Sequence, residues 1–156
     1  IMQQYYPLFS LYQSLRDQLL DHITEADLEY RINDNVPTIG ELCKEIGETE
    51  QNYIASFKTF ELKDFPYTHP DASVTTNLEN LKTWFAQLDA VLKTTIESLT
   101  DEVIQTQTID RGGNFQIPIQ HNLDIYKEAL IIFYGKMSIY LKVKGHPIPQ
   151  WDHWIG

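Results

Sequence analysis

The sequence predicts an all-α protein, a four-helix bundle formed by a single domain of residues 1–156. Two observations predict this fold class. Apolar residues recur at steps of three and four along four long segments, which is the spacing of a helix face. Hydrophobic residues make up 42% and charged residues 22% of the chain, as in ordinary globular domains. Short connections between the four helices favour a bundle. The longer connection between helices two and three permits a helix order other than simple up-and-down.

Charge and composition exclude several classes of function. The formal net charge is −10, so a nucleic-acid partner and an anionic membrane surface are both disfavoured, because both require basic residues. No apolar run reaches the roughly 18 residues of a membrane span. Cys43 is the single cysteine, which excludes an intrachain disulfide, and we therefore expect a cytoplasmic protein.

The first two helices are predicted from their apolar spacing and their start signals. Helix one covers Tyr5–Leu20, and Thr24–Asp27 is predicted to form a short capped turn. Helix two begins after Thr38, with Glu41 completing a capping box. The expected inner faces are Leu8, Leu11, Tyr12, Leu15 and Leu19 in helix one, and Leu42, Ile46, Tyr53, Ile54, Phe57 and Phe60 in helix two.

Helix three and a small turn occupy the middle of the chain. Thr76–Glu79 matches a second capping box, and a regular apolar series follows it. Its members are Leu81, Phe85, Leu88, Leu92, Ile96 and Leu99. Between Thr108 and Ile119, a Gly112-Gly113 pair flanked by alternating apolar residues predicts a tight turn or a small hairpin before the last helix.

The last helix, Leu123–Lys144, carries apolar residues on two faces. Pro118 suits its first turn, and Gly145 marks its end. One stripe consists of Leu123, Tyr126, Leu130, Phe133, Met137 and Tyr140; the other consists of Ile125, Ala129, Ile132, Ile139 and Val143, interrupted by Lys136. A helix on the surface of a bundle needs only one stripe. We therefore expect the second stripe to pack on something further, such as a second subunit in a homodimer.

Three segments of the chain, in this order and spacing, match a known pattern. The first is Thr38-Ile-Gly-Glu-Leu at the start of helix two, with Glu50 and Tyr53 further along. The second is Tyr134-Gly135-Lys136 inside the last helix, and the third is the segment 140–149, YLKVKGHPIP. Together they resemble the DinB/YfiT-like superfamily of bacterial four-helix bundles over nearly the whole chain. Members of that family often have Arg-Gly-Gln at the second segment and a similar helix end and proline-containing tail at the third.

The resemblance implies a divalent-metal site, and this sequence lacks its ligands. Metal-binding members use one histidine on helix two and two histidines, four residues apart, on helix four. The matching positions here are Glu45, Ala129 and Phe133. Two of these side chains are hydrocarbons and cannot bind a metal, so the resemblance predicts a metal-free member with no cofactor. The thiol-transferase chemistry of some relatives is not expected to carry over.

Two interpretations of function follow. The first is an uncharacterised bacterial binding or interaction module that is homodimeric and non-catalytic, with no assigned catalytic residue and a small-molecule ligand that the sequence does not identify. The alternative is an enzyme, a DinB-like transferase or hydrolase, that uses a non-histidine or substituted metal site in the bundle cavity. The candidate polar residues of that cavity are Glu45, Glu50, Tyr126, Tyr134 and Lys136.

Other polar residues have simpler explanations. Glu50 lies near the apolar face of helix two, so we expect it to pair with Lys136 or Tyr134, to tilt to solvent, or to be an acid with a shifted pKa. Cys43 is expected to be a small hydrophobic side chain. Arg111-Gly-Gly-Asn114 fits a turn better than an anion site. Trp151 and Trp154 in the tail are expected to cover one end of the bundle.

Overall fold

The computed structural model describes residues 2–146 and residue 148, except the side chains of residues 2–5 and 8, and it confirms the all-α prediction. The tail prediction for Trp151 and Trp154 lies outside the described residues. The described elements are helices α1 (Met2–Asp21), α2 (Ile39–Thr59), α3 (Leu78–Glu97), α4 (Asp101–Thr106) and α5 (Ile119–Lys144), and strands β1 (Thr108–Asp110) and β2 (Gln116–Pro118).

The four long helices form a bundle in which chain neighbours are not always spatial neighbours. Helices α1 and α2 each pack against both α3 and α5, so α1 and α2 occupy opposite corners. The core is made of apolar side chains from all four long helices and from the hairpin. No helix among the described residues is long and apolar enough to cross a lipid bilayer.

The predicted start of α2 is confirmed in detail. The hydroxyl oxygen of Thr38 accepts a hydrogen bond from the Glu41 amide at 3.1 Å, and the Glu41 carboxylate accepts one from the Thr38 amide at 2.7 Å. The second predicted capping box is wrong. The side chain of Asn77, not Thr76, caps α3 by accepting from the Asn80 amide at 2.8 Å.

The hairpin before the last helix is also confirmed. Strands β1 and β2 are antiparallel, with Ile109 opposite Ile117, and both isoleucines are buried. Gly112 and Gly113 have φ of +84° and +58° in the turn, a left-handed backbone that glycine adopts without strain. At the other end of α5, Gly145 terminates the helix with φ of +87°.

Two helix predictions need correction. The predicted inner face of α1 is rotated, because Leu11 is exposed, while Gln13 and Arg16 are buried beside Leu19 and Leu20. Helix α3 ends at Glu97, and a separate short helix, α4, follows it. That helix contributes no buried residue, so it leaves no apolar periodicity in the sequence.

Helix α5 buries one of its two predicted apolar stripes. Leu123, Tyr126, Leu130, Phe133, Met137 and Tyr140 are all buried in the bundle. Ile132, Ile139 and Val143 of the second stripe are 60%, 58% and 57% exposed in the single chain. We call these three residues the outer stripe. Within one chain, therefore, α5 is not covered on both sides.

Candidate functional site

A groove runs along the surface between α2 and α5. Its first section has a volume of about 210 Å³ and includes Glu45 from α2 and Ala129, Phe133 and Lys136 from α5. The Lys136 Nζ lies 3.9 Å from the Glu45 Oε1, so the two charged groups form a loose ion pair. Apart from this pair and Thr49, the lining side chains of this section are hydrocarbons.

The second section of the groove is larger and more acidic. It has a volume of about 450 Å³ and shares four lining residues with the first section, which makes the groove continuous. These are Glu45, Thr49, Ala129 and Ile132. The additional lining residues are the aromatics Tyr53, Phe65 and Tyr67, the carboxylates Glu48 and Glu128, and Asn52 and Ile125. We call the two sections together the α2–α5 groove.

The loop after α2 forms the aromatic wall of this groove, and α2 holds it there. The side-chain oxygen of Asn52 accepts a hydrogen bond from the Tyr67 amide at 3.2 Å. Glu48 accepts one from the His69 amide at 2.8 Å. These bonds satisfy backbone donors that no regular secondary structure pairs. Asn52 and Glu48 lie one turn apart on α2, so the loop follows the helix.

A polar cluster lies in the bundle interior, with one residue from each long helix. Arg16 of α1 is fully buried, and its Nη2 lies 2.7 Å from Asp89 Oδ2 of α3. Its Nη1 lies 3.4 Å from Glu50 Oε2 of α2. Tyr126 of α5 completes the cluster, and the Arg16 guanidinium stacks over Phe85 at 4.1 Å from the ring centroid. We call these four polar residues the interior cluster.

Burial sets the protonation states of the interior cluster. Burial raises the pKa of Glu50 to about 8; the positive charge of Arg16 opposes this shift and Asp89 adds to it. Burial alone would lower the pKa of Arg16, but the hydrogen bonds and charge of Asp89 keep it above its ordinary value. Arg16 and Asp89 therefore form the charged pair, and Glu50 is mostly a neutral acid at pH 7.

Two buried atoms of this cluster are unsatisfied. Glu50 Oε1 and the Tyr126 hydroxyl have no partner with hydrogen-bond geometry among the described residues, although each group influences the pKa of the other. A buried polar atom without a partner costs free energy. A protonated Glu50 reduces that cost relative to an ionised one, because the neutral acid loses less hydration on burial.

The predicted partner of Glu50 was wrong, and Arg16 and Asp89 were missed as partners. Lys136 lies at the surface beside Glu45, and the Tyr134 hydroxyl donates to the Tyr12 carbonyl. One signal pointed to Arg16: residues 9, 13, 16 and 20 are spaced as one helix face and read Phe, Gln, Arg and Leu. Because Phe9 and Leu20 are apolar, the polar residues between them on the same helix face are expected to be buried as well.

The structure separates the five candidate cavity residues into two groups. Glu45 and Lys136 line the α2–α5 groove. Glu50, Tyr126 and Tyr134 are buried in the interior and line neither section of the groove. The five residues therefore do not form one open site.

The three positions that the resemblance matches to metal ligands do come together. Glu45, Ala129 and Phe133 all line the first section of the groove. A carboxylate, a methyl group and a phenyl ring do not form a metal-binding donor set, because only the carboxylate has lone pairs to donate. Among the described residues, no group of three or more His, Cys, Asp or Glu side chains is placed to hold a metal ion.

Cys43 and Arg111 have structural roles. Cys43 is fully buried, and burial raises the pKa of its thiol to about 12, which removes the thiolate needed for nucleophilic chemistry. Arg111 donates a hydrogen bond to Asn122 at 2.9 Å, and Asn122 donates to Ser56 at 3.0 Å. Arg111 thus fastens the hairpin to α5, which in turn is linked to α2.

Comparison with solved structures identifies the fold. A crystal structure of the DinB-like protein YjoA from Bacillus subtilis, at 2.30 Å resolution, is similar to this chain with a TM-score of 0.64 and 22% sequence identity. The similarity covers 86% of this chain and 87% of that chain. The chain has a DinB-like fold. No protein-family model matches the sequence, and no curated protein matches it.

Proposed function

We propose that this DinB-like chain is a metal-free, non-catalytic binding protein and that the α2–α5 groove is its binding site. One observation supports the proposal above the others. The positions matched to the family's metal ligands line an open groove, yet they carry one carboxylate and two hydrocarbon side chains, Ala129 and Phe133. A concave, largely apolar surface with a few polar groups is typical of a ligand site.

The burial of Glu50, Tyr126 and Tyr134 favours binding over the catalytic alternative. An enzyme using Glu50, Tyr126 or Tyr134 would need to bring a substrate to them, and none of the three lines the groove. General acid or base catalysis requires hydrogen-bond reach to the substrate. The interior polar groups therefore serve the bundle's own packing in this proposal.

A small amphipathic alcohol, hexan-1-ol, tests the groove as a binding site. We expect it to bind weakly and to shift backbone amide NMR signals of groove residues. Ala129→Phe fills the point where the two sections meet, and we expect it to abolish these shifts. Ala90→Phe is the matched control, because Ala90 is exposed on α3, which contributes no lining residue. Equal binding by both variants, or shifts elsewhere in the chain, would contradict the groove assignment.

The outer stripe supports a homodimer formed through α5. Ile132, Ile139 and Val143 are each more than half exposed and lie on one face of the helix, and a second copy of the chain would remove them from water. Ile132 also lines both sections of the groove, whereas Ile139 and Val143 line neither. The dimer and the groove can therefore be tested separately.

The mass in solution tests the dimer. We expect twice the chain mass at micromolar concentration, and we expect Ile139→Glu to give the mass of one chain, because it places a charge in an apolar contact. Val91→Glu is the control: Val91 is 41% exposed and lies on α3. A monomeric wild type would contradict the dimer, and hexan-1-ol binding by the Ile139→Glu variant would separate binding from assembly.

A further inference from the structure

We propose that the second section of the α2–α5 groove binds an organic cation with an apolar tail, such as an alkylammonium group. This inference rests on the proposed function, because it names the ligand class of the same groove. It is carried by three features of the lining: its carboxylates, its aromatic wall and its apolar residues.

The lining of this section has one sign of charge. Glu45, Glu48 and Glu128 line it, and no Lys, Arg or His is among its described lining residues. Two of the carboxylates have cationic neighbours outside this section, since Glu48 pairs with Lys44 and Glu45 lies 3.9 Å from Lys136. Several carboxylates facing one concave surface concentrate cations there. The chain's net charge of −10 acts in the same direction.

The aromatic wall suits a positive charge that has few hydrogen-bond donors. Phe65, which is 50% exposed, and Tyr67 line the section together with Tyr53. Aromatic rings attract ammonium groups within about 6 Å of their centroids. The chain already makes this type of contact nearby, because the Arg111 guanidinium carbon lies 5.7 Å from the Tyr53 centroid. Arg111 does not line the section, so it leaves the carboxylates and Phe65 available.

The remaining lining residues define the other part of the ligand. Ile125, Ala129 and Ile132 provide hydrocarbon surface next to the charged and aromatic groups. The volume of 450 Å³ is within the range of small-molecule sites, about 300 to 1,000 Å³. A ligand that satisfies the whole section has a cationic head for the carboxylates and rings and an alkyl chain for the isoleucines. A compact metal ion lacks the second part.

Three probes with similar tails and different charge test this inference on the full chain. They are hexyltrimethylammonium, hexan-1-ol and heptanoate, titrated into the protein at low ionic strength and followed by backbone amide NMR. We expect the cation to bind at least about tenfold more tightly than the alcohol, and the anion to bind most weakly, because the local charges favour one sign. We also expect salt to reduce this difference, since it screens exposed charges.

A pair of double variants separates local charge from total charge. Glu45→Gln with Glu128→Gln removes two groove carboxylates from exposed positions. Glu97→Gln with Glu102→Gln removes two exposed carboxylates from α3 and α4, which do not line the groove. We expect the first variant to weaken binding of the cation by about twofold to thirtyfold, the range for two exposed charges, and to leave the alcohol unchanged. We expect the second variant to retain the wild-type preference.

Each outcome decides one claim. A cation preference that only the groove variant reduces would support the inference. Equal binding of cation and alcohol in the groove would overturn the cation preference and leave the groove as a binding site. Stronger binding of heptanoate, or equal effects of both double variants, would also overturn it. If no probe shifts groove signals, the inference and the proposed binding site both fail.

Discussion

The interior cluster predicts an unusual dependence of stability on pH. Glu50 is fully buried, and burial raises its pKa from the ordinary value of 4.5 to about 8. The folded chain therefore holds a proton that the unfolded chain releases above pH 4.5. The unfolding free energy must then fall as pH rises from about 5 to 8, because the folded state binds more protons across this interval.

The size of this effect follows from the pKa difference. The difference between 4.5 and about 8, at 1.36 kcal/mol per pKa unit, corresponds to on the order of 5 kcal/mol. This is a large part of a typical domain stability of about 5 to 15 kcal/mol. Glu50→Gln replaces the neutral acid by a neutral amide of the same shape, so it should remove this contribution to the pH dependence. Above pH 8 the variant should be more stable than the wild type.

Urea unfolding at a series of pH values between 5 and 9 measures this effect. The informative quantity is the difference in unfolding free energy between wild type and Glu50→Gln at each pH, since titration of all other groups cancels in it. We expect that difference to change in favour of the variant as pH rises. Parallel pH profiles would show that Glu50 has the same pKa in the folded and the unfolded chain, and the assignment of Glu50 as a neutral buried acid would then be wrong.

Two further predictions concern packing. A methyl group at Gly47 would lie 2.5 Å from the Trp84 ring, which is buried against Phe85, so we expect Gly47→Ala to lower the unfolding free energy by about 1 to 3 kcal/mol. A methyl group at Gly135 would meet no neighbouring atom within 4 Å, so Gly135→Ala should instead raise the unfolding free energy by up to about 1 kcal/mol. Urea unfolding measures both variants, and a Gly47→Ala variant more stable than Gly135→Ala would refute the packing. Cys43 should react with a thiol reagent only at the rate of unfolding, and rapid labelling of the folded chain would contradict its burial.

Local signals in the sequence were sufficient for much of the fold. Alternating steps of three and four defined the long helices, and the Thr38 capping box located the start of α2. Gly112-Gly113 located the hairpin, and Gly145 the end of α5. Each of these features depends on residues close together in the chain, so no knowledge of the tertiary structure was needed.

The remaining features depend on contacts between distant residues. Arg16 is buried because Asp89 and Glu50, on two other helices, face it, and its own neighbours in sequence do not reveal those partners. Helix α4 is short and has no fully buried residue; only Val103 and Ile104 pack partly against the core, which is too little for an apolar pattern to show. Asn77 caps α3 in place of Thr76, and the Thr76 hydroxyl instead donates to the Ser73 carbonyl, in the short helix Ala72–Thr75, at 3.5 Å.

The candidate site was predictable in part. The family resemblance selected Glu45, Ala129 and Phe133, which line one groove. The aromatic wall was not predicted, since Phe65 and Tyr67 belong to a loop whose position is set by side chains of α2. Loop positions of this kind depend on single hydrogen bonds rather than on a repeating pattern.

Metal content is the most direct test of the central claim that the α2–α5 groove is a metal-free binding site. Elemental analysis is made on protein purified without added chelator or affinity metal. Glu45→His combined with Ala129→His and Phe133→His is the positive control, because it restores three imidazoles at the matched positions. We expect less than about 0.1 equivalent of zinc or nickel in the wild type and about one in the control. About one equivalent per wild-type chain would contradict the account.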